Sequence, residues 1–343
     1  MSVPTPISEA LLEALDEPAL IVGGGRTLAA NEAARSLLGE SIVGRDVRIA
    51  IRHPQALQAV LAGRRNDVAV IGLGSAERPW QLSVRPFGKG SALIRLADRS
   101  AAIAAERMRV DFVANASHEL RTPLATISGF AETLAEDGPL DDAPRARFGA
   151  TIHAEAARML RIIEDLMGLS RIEADRFVAP RDSIDLCAIA HIAAQQTQAL
   201  AERKGCTVEV DCADDPITVI GDHAQLLQVA DNLISNAVRY GCGPRAPQVR
   251  VEVRRESGRG LLRVIDQGDG IAPDHLPRVT ERFYRVDPAR SRESGGTGLG
   301  LAIVKHIVER HRGTLDIRSE TGTGTTVDVR LPLEAREPAN TLS

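Results

Sequence analysis

Hydrophobic and polar residues alternate differently in three successive stretches of the chain. The first stretch, residues 8–97, contains short apolar or alternating runs separated by glycine turns. Its predicted strands include 19–22, 68–71, 80–84 and 91–96. A helical segment follows the first glycine turn. This mixture predicts a small α/β module built on an antiparallel sheet.

The second stretch, residues 98–176, places apolar or small residues at alternating spacings of three and four, as in a coiled-coil seam. The seam residues are Val113, Ser117, Leu120, Leu124, Ile127, Ala131 and Leu134, then Ile152, Ala156, Met159, Ile163, Leu166 and Ser170. A polar turn separates the two sets, which predicts an antiparallel helical hairpin. One hairpin leaves part of its seam uncovered. We therefore expect two chains to pair as a homodimer with a four-helix bundle.

The third stretch, residues 180–334, alternates helices and strands. Helices are predicted over 186–201, from Asp222 as N-cap to about Tyr240, and near 299–310. Strands are predicted near 206–210, 217–220, 249–253 and 261–266, and on both sides of 321–325. The pattern predicts an α/β sandwich with helices on one face. Residues 335–343 are expected to form a disordered tail.

Composition narrows the class of protein. The chain has 343 residues, of which 43% are hydrophobic, 26% charged and 3% aromatic, with a net charge of −4. These values are typical of a multidomain globular protein and argue against a nucleic-acid partner, which requires a basic surface. Four cysteines show no C-x-x-C pairing and no histidine at zinc spacing, so reduced structural thiols are expected.

Targeting signals are not apparent in the sequence. The N-terminus is acidic and lacks the charged and apolar regions of a signal peptide, and no window of 18 apolar residues occurs. We expect a cytoplasmic protein without a transmembrane span, with peripheral attachment to the inner membrane through a partner as the alternative. A membrane segment upstream of this sequence stays open as a second explanation.

A candidate nucleophile lies on the first hairpin helix. His118 falls outside the seam, Glu119 adjoins it, and Thr122 is one turn further on. Pro123 removes a backbone donor inside the helical pattern, which favours a local kink. An exposed histidine is usually a solvated surface residue, but neutral imidazole is also a competent nucleophile.

The segment from Ser117 to Leu124 (SHELRTPL) closely resembles the phosphoacceptor box of sensor histidine kinases. The resemblance implies that His118 accepts the γ-phosphoryl group of ATP and that Glu119 acts as the base. It also implies that Thr122 helps to position water when the kinase dephosphorylates its partner, a response regulator with a receiver domain.

Two blocks in the third stretch have the residue types of a nucleotide site. Asn232 and Asn236 lie one turn apart, and amide oxygens are ligands for Mg²⁺. Arg239 suits a phosphate oxygen and Tyr240 offers a ring for a base. Read alone, the two asparagines are more often surface or capping residues.

Glycine-rich turns follow. Asp266, with Gly268 and Gly270, ends a strand and can accept a hydrogen bond from an exocyclic amine. A second glycine run, which includes Gly296, Thr297, Gly298, Leu299 and Gly300, leads into a helix whose N-terminus favours phosphates. Neither a P-loop nor a dinucleotide fingerprint fits this spacing.

Together these blocks resemble the N, G1, F and G2 boxes of the ATPase superfamily shared by histidine kinases, gyrase, Hsp90 and MutL, with Arg282-Phe283-Tyr284-Arg285 as the F box. The resemblance implies ATP and Mg²⁺ as cofactors, Asn236 as the metal ligand and Asp266 as the adenine reader. It implies phosphate contacts by Asn232, Arg239 and the 296–300 turn, and further nucleotide contacts by Tyr240, Gly268, Gly270, Arg285 and Thr325. Residues 271–297 would form a lid, with Arg290 and Arg292 available to the triphosphate.

The N-terminal module is similar to a PAS sensor domain in Pro18–Val22 and Ala30–Ala34, and Arg52-His53-Pro54 is similar to phosphate-regulon (PhoR-type) sensor kinases. This implies an unknown small ligand or protein at the module. The sequence thus predicts a homodimeric, ATP-dependent protein-histidine kinase of a two-component system, with phosphate as a possible stimulus. The alternatives are a nucleotide-gated scaffold, a phosphatase-biased regulator and a DNA-acting ATPase.

Overall fold

The computed structural model describes residues 6–73, 78–87, 90–136, 141–174, 178–243, 247–287 and 296–334. The chain divides into two compact units, Met1–Val113 and Ala114–Ser343. Within the described ranges, helices are either too short or too polar to cross a bilayer. The predicted tail at 335–343 lies outside the described residues.

The N-terminal unit is a five-stranded antiparallel sheet with short helices. Its elements are α1 (Pro6–Glu13), β1 (Ala19–Gly23), β2 (Arg26–Ala30), α2 (Glu32–Leu38), α3 (Val47–Ala50), α4 (Pro54–Ala62), β3 (Asn66–Ile71), β4 (Pro79–Phe87) and β5 (Ser91–Asp98). The strand order is β2-β1-β5-β4-β3. Alternate residues Trp80, Leu82 and Val84 of β4 enter the core because successive side chains of a strand face opposite sides. The predicted α/β module is confirmed, and its resemblance to a PAS sensor stays a prediction.

Asn31 joins the start of α2 to the first strand. Its Oδ1 atom accepts the backbone N–H groups of Ala34, as an N-cap, and of Ala19, each at 2.9 Å. Its Nδ2 atom donates to the carbonyls of Leu15 and Glu17. This buried amide is therefore fully satisfied, which explains an asparagine within an apolar segment.

The predicted hairpin is confirmed as helices α5 (Ser100–Ala135) and α6 (Asp142–Ala174). Helix α5 continues through Pro123, so the expected kink does not interrupt it. Near the turn, the rings of Phe130 and Phe148 stack with centroids 4.9 Å apart.

The C-terminal part of the second unit is a mixed five-stranded sheet covered by helices. Its elements are β6 (Asp182–Asp185), α7 (Leu186–Lys204), β7 (Thr207–Cys212), β8 (Thr218–Gly221), α8 (His223–Asn236), β9 (Gln248–Glu256), β10 (Arg259–Asp266), α9 (Gly300–Arg310), β11 (Thr314–Glu320) and β12 (Gly324–Pro332). The order is β11-β12-β10-β9-β7, with β7 parallel to β9, and β6 pairs separately with β8. The predicted α/β sandwich is confirmed. The separate β6–β8 pair was not predicted.

The second predicted helix of this region begins as expected but ends earlier. The side chain of Asp222 accepts the N–H of Gln225 at 3.1 Å, which is an N-cap. The α-helix stops at Asn236, and a π-helical turn, Ala237–Gly241, follows it. A single α-helix to Tyr240 was therefore wrong, because hydrophobic spacing cannot distinguish an inserted π-turn.

The cysteines also differ from the sequence prediction. Cys187 is bonded to Cys212, and Cys206 to Cys242, so the expected set of unpaired thiols was wrong. The partners are 25 and 36 residues apart, and only the packing of α7 beside β7 and of the π-turn beside the sheet brings them together.

A buried carboxylate on the last strand, β12, pairs with a cluster of arginines. Asp328 is fully buried on β12 and accepts hydrogen bonds from Arg263, Arg318 and Arg330. Burial opposes the charged carboxylate, but the arginines, Arg263 first, outweigh it and lower the pKa of Asp328.

Replacing Asp328 by Asn is expected to lower the free energy of unfolding by about 3 kcal/mol, because it leaves the arginines without their shared carboxylate. Since the pKa of Asp328 is lowered on folding, its contribution is present above about pH 4 and is lost as the pH falls further. Urea unfolding of both proteins at neutral and acidic pH measures this. An Asp316→Asn variant, which changes an exposed partner of Arg318, is the control. Equal losses in both variants would contradict the account.

Candidate active site

The predicted nucleotide residues surround one pocket of about 450 Å³, a size usual for ligand sites. All of them line it except two. The lining members are Asn232, Asn236, Arg239, Tyr240, Asp266, Gly270, Arg285, Gly296, Thr297, Gly298, Gly300 and Thr325. Of the other two, Gly268 lies close against the backbone of Tyr240 and Gly241, and Leu299 is fully buried.

One wall comes from α8 and the π-turn. Asn232 and Asn236 are one turn apart on α8, so both side chains face the pocket. The π-turn then carries Arg239 and Tyr240 to the same wall. Inserted π-turns occur frequently at functional sites, and this one changes the direction in which two residues predicted to contact the nucleotide point.

Asp266 lies at the end of β10. Its Oδ1 atom accepts the N–H groups of Gly268 at 3.0 Å and Thr325 at 3.2 Å. Burial raises the pKa of Asp266, and these two hydrogen bonds oppose the rise. A Cβ atom on Gly241 would lie 2.3 Å from the Asp266 side chain, so only glycine permits this approach.

The glycine turn at 296–300 leads into α9, as predicted. Gly300 begins the helix, and a Cβ atom there would lie 2.8 Å from Asn232 Oδ1. The Thr297 hydroxyl accepts the N–H of Leu299 at 3.3 Å and donates to Asp165 Oδ2 at 2.6 Å. The turn is thus fixed against both α8 and α6.

The phosphoacceptor segment lies on α5. His118 is exposed, and the Thr122 hydroxyl donates to its backbone carbonyl at 3.3 Å. Glu119 is partly buried, and its Oε2 atom accepts hydrogen bonds from Arg158 at 3.0 Å and Arg285 at 2.8 Å. Both arginine side chains are only 7% exposed, so the carboxylate adjoining His118 is held in a charge-assisted network.

Arg285 connects the two predicted parts of the site. The guanidinium group that binds Glu119 belongs to a residue that also lines the pocket described above. Arg285, which belongs to the predicted F box, therefore contacts the segment that contains the candidate nucleophile His118.

Sequence reasoning missed the contribution of α6. Arg161, Glu164 and Asp165 line the pocket, as does Asp231 of α8. Burial raises the pKa values of Asp165 and Asp231, whereas burial and then the charge of Arg239 lower that of Arg161. The three- and four-residue spacing of charged residues beside the α6 seam was the available signal. The predicted Arg290 and Arg292 lie outside the described residues.

Comparison with known families agrees with both parts of the site. Residues 108–175 match the His Kinase A (phospho-acceptor) domain, and residues 221–335 match the histidine kinase-, DNA gyrase B- and HSP90-like ATPase family. The first match contains His118 and the second contains the pocket residues of α8, β10 and α9.

Three curated relatives extend the likeness. The chain is 36% identical over 301 residues to the phosphate regulon sensor protein PhoR of Pseudomonas aeruginosa, covering 86% of this chain and 67% of the relative. It is 38% identical to the sensor-like histidine kinase SenX3 of Mycolicibacterium smegmatis, over 70% of this chain and 62% of the relative. It is 36% identical to the sensor protein kinase WalK of Staphylococcus aureus, over 68% and 55%.

The chain belongs to the sensor histidine kinases, ATP-dependent enzymes of two-component systems. Among the relatives above, its likeness extends furthest along the PhoR sensor protein.

Proposed function

We propose that the chain transfers the γ-phosphoryl group of ATP to His118 and then to an aspartate on the receiver domain of a response regulator. In the first step a bond forms between the His118 ring nitrogen and phosphorus, the bond to the β-phosphate oxygen breaks, and ADP leaves. Glu119 takes the ring proton. The observation that carries this proposal is Arg285, which lines the nucleotide pocket and binds Glu119.

The pocket residues fit a magnesium nucleotide. Asn236 offers an amide oxygen to Mg²⁺, while Arg239 and the N-terminus of α9 suit the phosphates. Asp266 would accept a hydrogen bond from the exocyclic amine of adenine, and the ring of Tyr240, which lines the same pocket, is available to stack on the base. Bound Mg²⁺ would neutralise phosphate charge.

The decisive experiment is radiolabelling from γ-labelled ATP, followed by addition of candidate receiver domains. The wild-type protein is expected to take up label and pass it to one receiver. His118→Gln is expected to take up none, whereas His153→Gln, which changes another exposed histidine of the hairpin, retains the activity. Label that persists in His118→Gln would overturn the proposal.

The same segment supports dephosphorylation of the receiver. Thr122 lies one turn from His118 on the exposed face of α5 and can orient a water molecule toward the phosphoaspartate. The same proposal includes a division into three domains, at 8–97, 98–176 and 180–334. It also includes phosphate as the stimulus, a ligand or protein partner at residues 8–97, and a cytoplasmic location.

Homodimerisation is part of the proposal because the seam leaves apolar side chains in contact with solvent in one chain. Leu124 is 52% exposed and Ile163 is 40% exposed, although both belong to the predicted seam. Apolar surface on facing positions of a hairpin is covered when two hairpins form a four-helix bundle.

Leu124→Asp is expected to shift the protein from dimer to monomer, because it places a charge in the apolar seam. Sedimentation velocity measures the change. Val178→Asp, at a similarly exposed position outside the hairpin, is the control and should stay dimeric. A Leu124→Asp protein that sediments as a dimer would contradict this arrangement.

A further inference from the structure

A cluster of sulfur and nitrogen atoms lies between the start of α7 and the end of β7. Cys187 is the second residue of α7, His191 follows one turn later, and Cys212 ends β7. Their possible ligand atoms all lie within 4.8 Å of one another, and Cys212 Sγ is 3.8 Å from His191 Nε2. No other group of three His, Cys, Asp or Glu residues in the described part of the chain approaches this closely.

We propose that the reduced form of this cluster binds one thiophilic divalent cation, with Zn²⁺ as the preferred ion. Two thiolates and one imidazole are ligands of tetrahedral zinc sites, and water supplies the fourth position. Zinc bonds of about 2.3 Å to sulfur and 2.0 Å to nitrogen require ligand atoms about 3.5–3.8 Å apart. The Cys212 sulfur already lies 3.8 Å from His191 Nε2. The sulfurs of Cys187 and Cys212, which are bonded to each other in the oxidised form, must separate on reduction to the distance that the metal requires.

The local structure favours this ligand set. The spacing of four residues places Cys187 and His191 on the same face of α7. The Asp185 side chain accepts the N–H of Cys187 at 2.9 Å and fixes the start of the helix. The positive N-terminal end of α7 favours negative charge on the Cys187 sulfur. Cys187 and Cys212 are partly exposed and His191 is exposed, so an ion can enter.

The proposed site can bind a cation only when Cys187 and Cys212 are reduced. In a reducing compartment a cysteine pair of an enzyme is more often metal-binding or catalytic than a structural disulfide. The disulfide of the structure is then the metal-free oxidised form. Exchange with a low-molecular-weight disulfide forms the Cys187–Cys212 bond, reduces the reagent to two thiols by two electrons with uptake of two protons, and releases the cation.

Cobalt(II) provides a direct probe, because it occupies zinc sites and its thiolate complexes absorb in the near ultraviolet. We expect the reduced full-length protein to bind one Co²⁺ with thiolate-to-metal absorption, and Zn²⁺ to displace it. Cys187→Ser and Cys212→Ser should abolish the band, and His191→Ala should weaken affinity by about tenfold or more. Treatment of the loaded protein with oxidised glutathione should release the ion.

A Cys206→Ser/Cys242→Ser double variant is the matched control, since it removes the other cysteine pair, and it should retain the band. Circular dichroism verifies that each variant is folded, and His191→Ala alters only an exposed side chain. Reduced wild-type protein without the band, a band that survives in Cys187→Ser, or unchanged affinity in His191→Ala would each overturn the proposal.

Discussion

Glu119→Gln is expected to lower the rate of autophosphorylation by about 10²–10⁴ and to leave ATP affinity unchanged. The carboxylate adjoins His118 in the sequence and is the group that we propose takes the ring proton. Glutamine has nearly the same shape, and its amide oxygen can still accept hydrogen bonds from Arg158 and Arg285. The substitution therefore removes the base without leaving both buried guanidinium groups unpaired.

Initial labelling rates at saturating ATP, with nucleotide affinity measured separately, distinguish loss of the base from loss of the pocket. Glu132→Gln changes an exposed acid on the same helix and is the matched control. A Glu119→Gln protein that labels at the wild-type rate would show that the proton leaves by another route. An equal loss in Glu132→Gln would point to a general effect on α5.

Gly300→Ala is the second change with a large expected effect, a loss of about 10–100-fold in ATP affinity. The added Cβ atom would lie 2.8 Å from Asn232 Oδ1, so the Asn232 side chain or the start of α9 must move. Either movement disturbs the end of the pocket that we propose binds the phosphates, where hydrogen bonds to charged groups contribute about 1.5–3 kcal/mol each.

Isothermal titration with a non-hydrolysable ATP analogue measures this effect. Gly243→Ala is the matched control, because nothing lies within 4 Å of a Cβ atom there. Thermal unfolding without nucleotide shows whether Gly300→Ala is itself folded. Wild-type affinity in a folded Gly300→Ala protein would mean that the phosphates do not bind at this turn.

The parts of the fold that depend on local spacing were predictable. The seam residues gave the two hairpin helices, and Asp222 gave the start of α8. The blocks around Asn236, Asp266 and Gly298 converge on one pocket, although they are distant in sequence. Each block contains residues that its own local geometry requires, such as a glycine where two backbone segments approach closely. For this reason each motif could be recognised in the sequence by itself.

The features that were missed depend on tertiary packing. Asp165 enters the pocket and Arg158 binds Glu119 only because α6 packs beside these elements. The π-turn after Asn236 adds a residue to a helical turn without changing the hydrophobic pattern. Likewise, Cys187 and Cys212 are brought together by the packing of α7 against the sheet, which no sequence spacing indicates.

The central claim is that His118 carries the phosphoryl group. The most direct measurement is to map the modified residue after incubation with ATP and Mg²⁺, by proteolysis and mass spectrometry at alkaline pH with a parallel acid treatment. The account predicts one phosphoryl group per modified chain, on the peptide that contains His118, stable in base and lost in acid. Phosphate on a serine, threonine or aspartate, or on a peptide without His118, would contradict it.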